Sequence, residues 1–217
     1  INYKISDFFS AKKIIKKTKK KFNIITAMSV FYDAKDPNVF MRDIARLLHK
    51  DGILMLEHAD LLSIIKQKMF DTICHEHLYY YSTKVIISIA NAHHLRVFDI
   101  KLNSINGGST QYFICRKESK YKNNYKIINK ILNDEKKYKL ENKSTFVKFF
   151  KEINFIKSRT INYLDSIIKK NKIIHGYGAS TKGNVLLQYF NIGQNYIKYI
   201  ADRNPKKYNH FTPGTKI

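Results

Sequence analysis

The sequence predicts an α/β fold built from two successive units. Short apolar runs that end in small or polar residues alternate with segments whose apolar residues recur at helical spacing, a pattern typical of strands joined by helices. This alternation occurs once in each half of the chain, on either side of a long polar helical stretch. The first sheet is expected to end in an antiparallel hairpin, because Asn106-Gly107-Gly108 predicts a turn before an apolar strand.

The first half predicts a βαβ unit followed by that hairpin. Phe22–Met28 is a short, mainly apolar run and predicts a buried strand. Asp36-Pro37 predicts a helix start, since Asp caps helices and Pro favours their first position. Asp51-Gly52 predicts a turn before the strand Ile53–Leu56, and short connections of this kind imply parallel strands. The remaining predicted elements are a helical segment over 60–67, a helix from 82 to about 93 and strands over 95–100 and 110–115.

The second half predicts two helices and then another βαβ unit. Residues 117–171 are polar and helical, with a break near Asn142. A strand at 172–174, a glycine-containing loop, a helix to about Phe190 and a strand at 196–201 follow. We therefore predict domains over 1–118 and 119–217, the second made of a helical linker (119–171) and a Rossmann-like part (172–217).

Composition narrows the class of partner. Forty Lys and Arg residues against 17 Asp and Glu give a net charge of +23, but the lysines are spread along the chain and no nucleic-acid motif accompanies them. No apolar run approaches the length of a membrane span. We expect neither a nucleic-acid nor a membrane partner. Cys74 and Cys115 are too few for a disulfide framework, so a cytoplasmic location is expected.

His75-Glu76-His77 is the segment with the highest density of side chains that could act in catalysis. It follows the second predicted parallel strand, and ligands in open α/β sheets bind beyond the carboxyl ends of the strands. Two imidazoles beside a carboxylate can supply a general base and an orienting partner near neutral pH. Two other interpretations are open: the three residues are surface polar groups, or the histidines join Cys74 or His58 in a zinc site, although the ligand spacing is incomplete.

The loop Gly176–Gly183 lies between a predicted strand and a predicted helix. Glycines there allow backbone amides to approach a phosphate, and Lys182 adds a positive charge. Asp202 follows about 20 residues later, roughly where a Rossmann unit places its ribose-binding acid. An NAD-binding unit and a purely structural tight turn are both compatible with this pattern.

Four blocks in order make the chain resemble the sugar C-methyltransferase family. The segment Phe70–Ser82 is similar to the family's signature, and Asn106–Ser109 is similar to its next block. The blocks at 176–187 and at 202–215 resemble the family's C-terminal domain. The blocks cover nearly the whole chain from Phe22. The resemblance implies the last part of a class I methyltransferase sheet, followed by a Rossmann-like C-terminal domain.

The resemblance also implies an activity and a set of site residues. Members use S-adenosylmethionine (SAM), and the better-known ones methylate a carbon of a nucleotide-linked 4-keto-deoxysugar after a base forms the enolate. By this analogy His77 is the base, and His75 and Glu76 orient it. The implied cofactor-binding residues are Ala27, Met28 and Ser29. The implied substrate-binding residues are Cys74, Tyr79, Asn106, Gly107, Gly108, Ser109, Lys182 and Asn184.

Three departures from the family qualify that expectation. Cys74 stands where the sugar enzymes carry Tyr, which points to a branch with a different acceptor. The glycine-rich loop that grips the cofactor and the zinc-binding Cys pairs of the N-terminal domain are both expected upstream of Ile1, so zinc is not expected here. We therefore expect a fragment. A non-enzymatic nucleotide- or sugar-binding module and a methyltransferase with a non-sugar acceptor are the alternatives.

Overall fold

The computed structural model describes residues 4–217, with the side chain of Asn106 outside the description. The chain divides into two compact units. Unit 1 comprises the chain up to Gln67 together with Glu76–Asn142, and unit 2 comprises Lys68–His75 together with Lys143–Ile217. The dividing line therefore passes between His75 and Glu76. The domain limits of 1–118 and 119–217 stay a prediction.

Unit 1 contains a mixed four-stranded sheet. Strands β1 (Phe22–Met28), β2 (Leu48–His58), β3 (Leu95–Asn103) and β4 (Ser109–Arg116) lie in the order β1-β2-β4-β3. β1 pairs in parallel with β2, whereas β4 is antiparallel to both of its neighbours, β2 and β3. The predicted α/β class and the predicted antiparallel hairpin are both confirmed.

The helices of unit 1 begin where the sequence supplies capping side chains. The Asp36 carboxylate accepts hydrogen bonds from the backbone nitrogens of Asn38 (2.8 Å) and Val39 (3.0 Å), with Pro37 in the first helical position. Ser82 caps the helix that contains Ile86 in the same way. The helices are α1 (Ala11–Thr18), α2 (Pro37–Leu47), α3 (Leu61–Gln67), α4 (Thr83–Ala92) and α5 (Tyr125–Lys137), and short 3₁₀ turns lie at Phe31–Asp33 and Ile105–Gly107.

The core of unit 1 lies between one face of this sheet and its helices. Alternate residues of the central strands point into it, because successive strand side chains face opposite sides of a sheet. They pack with apolar side chains from α2, α4 and α5. The members at most 1% exposed include Leu54, Leu56, Tyr112 and Ile114 from the strands, and Ile44 and Ile86 from the helices.

The predicted turn at Asp51-Gly52 is wrong. β2 begins at Leu48, and the residues of that turn lie inside the strand, where the pairing with β1 shifts register between Phe22 and Ile24. A Cβ atom on Gly52 would lie 2.7 Å from the carbonyl oxygen of Phe22. The glycine therefore permits a close approach of two strands rather than a reversal of the chain.

Unit 2 contains a parallel βαβ unit and a long helix. α6 spans Lys143–Ile168, and β5 (Ile174–Tyr177), α7 (Thr181–Phe190) and β6 (Ile197–Ala201) follow, with β5 and β6 parallel. The break between α5 and α6 at residues 138–142 confirms the predicted interruption near Asn142. The strand predicted at 172–174 instead starts at Ile174 and continues to Tyr177. The Rossmann-like character of residues 172–217 stays a prediction.

The basic residues of α1 lie on its solvent-exposed side. Its lysines are exposed, whereas Ile14 and Ile15 are partly buried and Ala11 is fully buried. Across residues 4–217, no helix combines the length and apolar character needed to cross a bilayer.

Candidate active site

The candidate site of unit 1 lies at the carboxyl ends of β1 and β2. Met28 and Glu57 are neighbours in the parallel register, and the backbone nitrogen of Ser29 donates to the Glu57 carbonyl (2.8 Å). Ser29 has a φ of +53°, so the chain turns sharply as it leaves β1. This edge is where open α/β sheets bind their ligands.

The three predicted cofactor residues lie at this edge but differ in exposure. Ala27 belongs to the apolar core and is 4% exposed. Met28 faces the other side of the sheet and is 40% exposed, and Ser29 is partly buried in the turn. Met28 and Ser29 are therefore accessible to a ligand, whereas the side chain of Ala27 is withdrawn into the core.

Glu57 is a buried carboxylate at the same edge, and the sequence interpretation gave it no role. Its side chain is 3% exposed, and Oε2 accepts hydrogen bonds from Asn103 Nδ2 (3.1 Å) and from Gln111 Nε2. Side-chain amides from β3 and β4 thus compensate for part of its desolvation. Its position as the penultimate residue of a predicted parallel strand could have identified Glu57 as a candidate site residue from the sequence.

The segment Glu76–Tyr81 is fastened to the 3₁₀ turn that follows β1. The carbonyl oxygen of Tyr32 accepts hydrogen bonds from the backbone nitrogens of both Leu78 (3.1 Å) and Tyr79 (3.2 Å). The Tyr79 hydroxyl donates to the carbonyl of Lys35 (3.2 Å). The ring of His77 packs against the ring of Tyr32, with centroids 4.3 Å apart. The fold therefore brings the second predicted histidine beside the end of β1.

Asp33 joins Glu76 and His77 in a cluster of charged groups. It follows Tyr32 in the 3₁₀ turn, and burial raises the pKa of its carboxyl. The charge of His77 acts in the opposite direction and lowers that pKa, while the charge of Glu76 raises it. The sequence interpretation missed Asp33, whose one available signal is its position a few residues beyond the carboxyl end of β1.

The predicted triplet does not fall within one unit. Glu76 and His77 belong to unit 1, whereas Cys74 and His75 belong to unit 2. His75 and Glu76 are exposed, and Cys74 and His77 are partly buried. The structure thus groups Glu76 and His77 with Asp33, a residue distant in sequence.

His58 is enclosed by aromatic rings at the end of β2. It has no exposed surface, and its Nδ1 atom lies 3.0 Å from the carbonyl oxygen of Ala59. Burial lowers the pKa of its imidazole. Among the described residues, its Nε2 atom has no hydrogen-bond partner, and neither has the Tyr81 hydroxyl. The rings around it, at centroid distances of 5.4 to 6.5 Å, are those of Phe31, Tyr32, Tyr81 and Tyr112.

The zinc alternative finds no support in this arrangement. Within residues 4–217, no group of three or more His, Cys, Asp or Glu side chains is placed to hold a metal ion. His58 is surrounded by carbon-rich rings rather than by other ligands.

The predicted substrate block before β4 forms a tight turn. Gly107 and Gly108 have φ values of +90° and +138°, and a Cβ atom on Gly108 would lie 2.8 Å from Gln67 Nε2. Ser109 is 2% exposed and its hydroxyl donates to the carbonyl of Ile105 (3.0 Å). The predicted role of the Asn106 side chain falls outside the described residues.

The glycine loop of unit 2 is closed by internal hydrogen bonds. The Asp202 carboxylate accepts from the backbone nitrogens of Ala179 (2.8 Å) and Asn204 (2.8 Å) and from Lys207 Nζ (2.9 Å). The bond from Asn204, followed by those from Lys207 and Ala179, lowers the pKa of Asp202 to about 2. Because these donors already engage the carboxylate, the arrangement does not favour a ribose-binding role in an NAD site.

The two predicted substrate residues of this loop lie in the first turn of α7. Ser180 caps the helix by accepting a hydrogen bond from the backbone nitrogen of Gly183 (3.1 Å). Lys182 and Asn184 are both partly buried. The Asn184 Oδ1 atom is itself buried and has no hydrogen-bond partner among the described residues. The loop therefore leads into the N-terminus of α7, and a helix N-terminus favours a negatively charged group.

Comparison with known families adds to this geometry. A family model described as the C-methyltransferase C-terminal domain matches residues 104–217. The chain belongs to this family. The match begins just before β4 and includes the glycine loop of unit 2. The resemblance read from the sequence motifs is confirmed at the level of the C-methyltransferase family.

One curated relative is "C-methyltransferase NovU" of Streptomyces niveus. It is 25% identical to this chain over 194 residues, which cover 89% of the chain and 46% of the relative. The chain thus spans about half the length of the curated relative it matches.

Solved structures of methyltransferases resemble the chain only weakly. Magnesium protoporphyrin IX methyltransferase (ChlM) from Synechocystis PCC 6803, with bound SAH, gives a TM-score of 0.37 at 14% identity and covers 47% of this chain and 48% of its own. Mitomycin 7-O-methyltransferase MmcR gives a TM-score of 0.36 at 16% identity, and the match covers 45% of this chain and 30% of MmcR. Likenesses this weak do not establish a shared function.

Proposed function

We propose that this protein is a C-methyltransferase that uses SAM as methyl donor. Membership of the C-methyltransferase family and the similarity to NovU support the activity. The mixed sheet order β1-β2-β4-β3 supports the last part of a class I methyltransferase sheet. The observation that carries the proposal is the placement of His77, with Asp33 and Glu76, at the carboxyl end of β1.

The edge of the sheet fits part of the methyl donor. The exposed Met28 side chain offers an apolar surface, and the chain turns sharply away from the strand at Ser29. Ala27, Met28 and Ser29 are the residues that hold the donor in this proposal. When bound, SAM supplies a methyl group activated by a positive sulfonium, which is the electrophile that an enolate carbon attacks.

His77 acts as the general base. One of its ring nitrogens removes the acidic proton from the carbon beside the acceptor's ketone, which leaves an enolate and an imidazolium. The Tyr32 ring packs against the imidazole at a tilt of 50° and helps hold it in place, and the two backbone bonds to the Tyr32 carbonyl fix the segment that carries it. A base held this way loses little freedom on reaching the transition state.

Asp33 and Glu76 stabilise the charge that the base acquires. Both carboxylates lie close enough to His77 for their charges to interact with it or with each other. A negative charge beside a developing imidazolium lowers the energy of the charged form. The orienting role expected for His75 also stays part of the proposal, although that residue belongs to unit 2.

The acceptor in this proposal is a nucleotide-linked keto-sugar or a related small molecule. The predicted substrate residues Gly107, Gly108 and Ser109 form the tight turn before β4, and Lys182 offers a cation at the start of α7. Cys74 leaves the identity of the acceptor open, because the sugar enzymes carry Tyr there. Within residues 4–217, Cys74 and Cys115 form no disulfide, which is compatible with the expected cytoplasmic location.

Replacing His77 tests the proposal directly. The full protein that contains this chain is incubated with SAM labelled in its methyl group and with a nucleotide-linked 4-keto-deoxysugar. His77→Asn should reduce methyl transfer by about 10²- to 10⁴-fold, the usual contribution of a general base, while SAM affinity stays unchanged in equilibrium dialysis. His210→Asn is the matched control, because His210 is exposed and lies in unit 2, outside the predicted catalytic, cofactor-binding and substrate-binding residues.

Each outcome has a distinct meaning. Equal activity of wild type and His77→Asn removes His77 as the base. SAM binding without transfer to any keto-sugar removes the acceptor class but keeps the methyltransferase. Absence of SAM binding by the full protein refutes the activity.

A further inference from the structure

A basic groove lies in unit 1, apart from the candidate active site. Its volume is about 530 Å³, and apart from two alanines every residue that lines it is basic. The whole chain has 40 Lys and Arg and 8 His among 217 residues, so this concentration exceeds what composition alone supplies. The basic lining residues are Lys21, Arg42, Arg46, His93, His94 and Arg116.

The topology places this groove at the opposite edge of the sheet. Lys21 precedes the first residue of β1, His94 precedes the first residue of β3, and Arg116 is the last residue of the antiparallel β4. The candidate active site lies instead beyond the last residues of β1 and β2. A ligand in the groove would therefore not occupy the methyl-transfer site.

Two of the cations are held in place by backbone carbonyls. Arg116 donates to the carbonyl of Leu48 through Nε (3.3 Å) and Nη2 (3.1 Å), and also to that of Ala45. Lys21 donates to the carbonyl of Arg46. These carbonyls lie at the C-terminal end of α2, where cations are favoured for the stability of the helix alone.

Helix stabilisation does not account for the rest of the lining. The structure gives the side chains of Arg42 and His94 no hydrogen bond or ion pair within residues 4–217, and both residues are exposed. Arg46 lies 3.7 Å from Asp43, but its side chain is 53% exposed, so the pair neutralises it weakly. The groove therefore contains exposed positive charge that no acidic side chain neutralises fully, next to the two cations that backbone carbonyls hold in place.

We propose that the groove binds a small anion that carries a pyrophosphate group. Guanidinium groups match the geometry of phosphate oxygens, and several cations in a concave surface reinforce one another. A volume of about 530 Å³ lies within the usual range for small-molecule sites. This site is separate from the proposed methyl transfer and does not depend on it.

The test compares two double variants that remove the same charge. Arg42→Gln/Arg46→Gln neutralises two positions one turn apart on α2, and Lys12→Gln/Lys16→Gln neutralises two exposed positions with the same spacing on α1. Binding of inorganic pyrophosphate to the chain is measured by calorimetry at low and at physiological salt. Losing one charge pair at about 4 Å in water weakens binding about fivefold, so the groove variant, which loses two such pairs, should bind about 25-fold more weakly. The α1 control should stay within about twofold of wild type.

Parallel measurements separate loss of the site from loss of the fold and identify the ligand class. Thermal unfolding checks that the groove variant stays folded. If the double variant does not fold, pyrophosphate binding is measured with Arg42→Gln alone, because the side chain of Arg42 has no described hydrogen bond or ion pair to lose. Titration with ADP distinguishes a nucleotide ligand, which binds more tightly than pyrophosphate, from phosphate recognition alone. The proposal is overturned if wild type does not bind pyrophosphate at low salt, or if both double variants lose affinity equally.

Discussion

Glu135 fastens α5 to the start of α4, the helix that follows the Glu76–Tyr81 segment. Its two carboxylate oxygens accept hydrogen bonds from the backbone nitrogens of Thr83 and Lys84 (3.1 Å for the second), and the residue is 6% exposed. Burial raises the pKa of this carboxyl, and the two backbone bonds offset part of the rise. The bonds therefore stabilise the fold, whereas the charge itself contributes unfavourably.

Two substitutions of Glu135 separate these effects. Glu135→Ala leaves two helix-start N–H groups unsatisfied and should lower the free energy of unfolding by about 2–6 kcal/mol, at about 1–3 kcal/mol per group. Glu135→Gln keeps one oxygen acceptor and removes the buried charge, so it should cost less than about 1.5 kcal/mol. Glu141→Ala is the control: its ion pair with Lys84 joins side chains 73% and 67% exposed, and its loss should cost less than about 1 kcal/mol.

Urea unfolding followed by circular dichroism measures these differences, and its pH dependence gives a second check. Since the pKa of Glu135 is higher in the folded than in the unfolded chain, wild type loses stability as pH rises from the ordinary glutamate value towards the raised pKa. Glu135→Gln does not titrate at this position, so its disadvantage relative to wild type should shrink over the same pH window.

Two results would refute this account of Glu135. If Glu135→Gln costs as much as Glu135→Ala, the charge is the main stabilising feature rather than the two backbone bonds. If the gap between wild type and Glu135→Gln widens as pH rises, the pKa of the carboxyl is lowered by folding instead of raised.

Three further predictions concern other parts of the chain. Carboxyl NMR titration should give Asp33 a pKa above the ordinary aspartate value, and His77→Asn should raise it further by removing a positive charge; a fall would contradict the cluster. Gly52→Ala should destabilise the fold by about 1–3 kcal/mol in urea unfolding, because its Cβ would lie 2.7 Å from the Phe22 carbonyl; an unchanged midpoint would mean that the strands move apart freely. In the full protein, Cys74→Tyr should keep the fold and shift methyl transfer towards keto-sugars, and an unchanged acceptor range would remove Cys74 as a specificity residue.

Local signals predicted most of the secondary structure. Phe22–Met28 forms the predicted strand, and Asp36 and Ser82 cap the helices that they were expected to start. The predicted burial of that strand is wrong, because Ala27 is its one buried residue and Ile24 is 73% exposed at the outer strand of the sheet. Asp51-Gly52 misled because the same dipeptide suits a turn and a close approach of strands, and only the position of Phe22 decides between them. The conformational preferences of Asp51 and Gly52 alone do not reveal which strand lies beside them.

The candidate site was predictable only in part. The sequence motif identifies His77, but its neighbour Asp33 is 44 residues away and meets it only because the segment after His77 bonds to the Tyr32 carbonyl. The consecutive residues His75-Glu76-His77 also suggested a single functional group, whereas the fold assigns His75 and Glu76 to different units. Proximity of this kind arises from tertiary pairing, which no motif spacing encodes.

The shared carbonyl of Tyr32 constrains how this protein can change over evolution. Because one oxygen accepts bonds from both Leu78 and Tyr79, the turn after β1 and the segment before α4 are locked in a single relative alignment. Adding or removing one residue in either segment would shift His77 off the Tyr32 ring even if every side chain were retained. The lengths of these two loops should therefore be inherited together, with insertions accepted in one only when the other compensates.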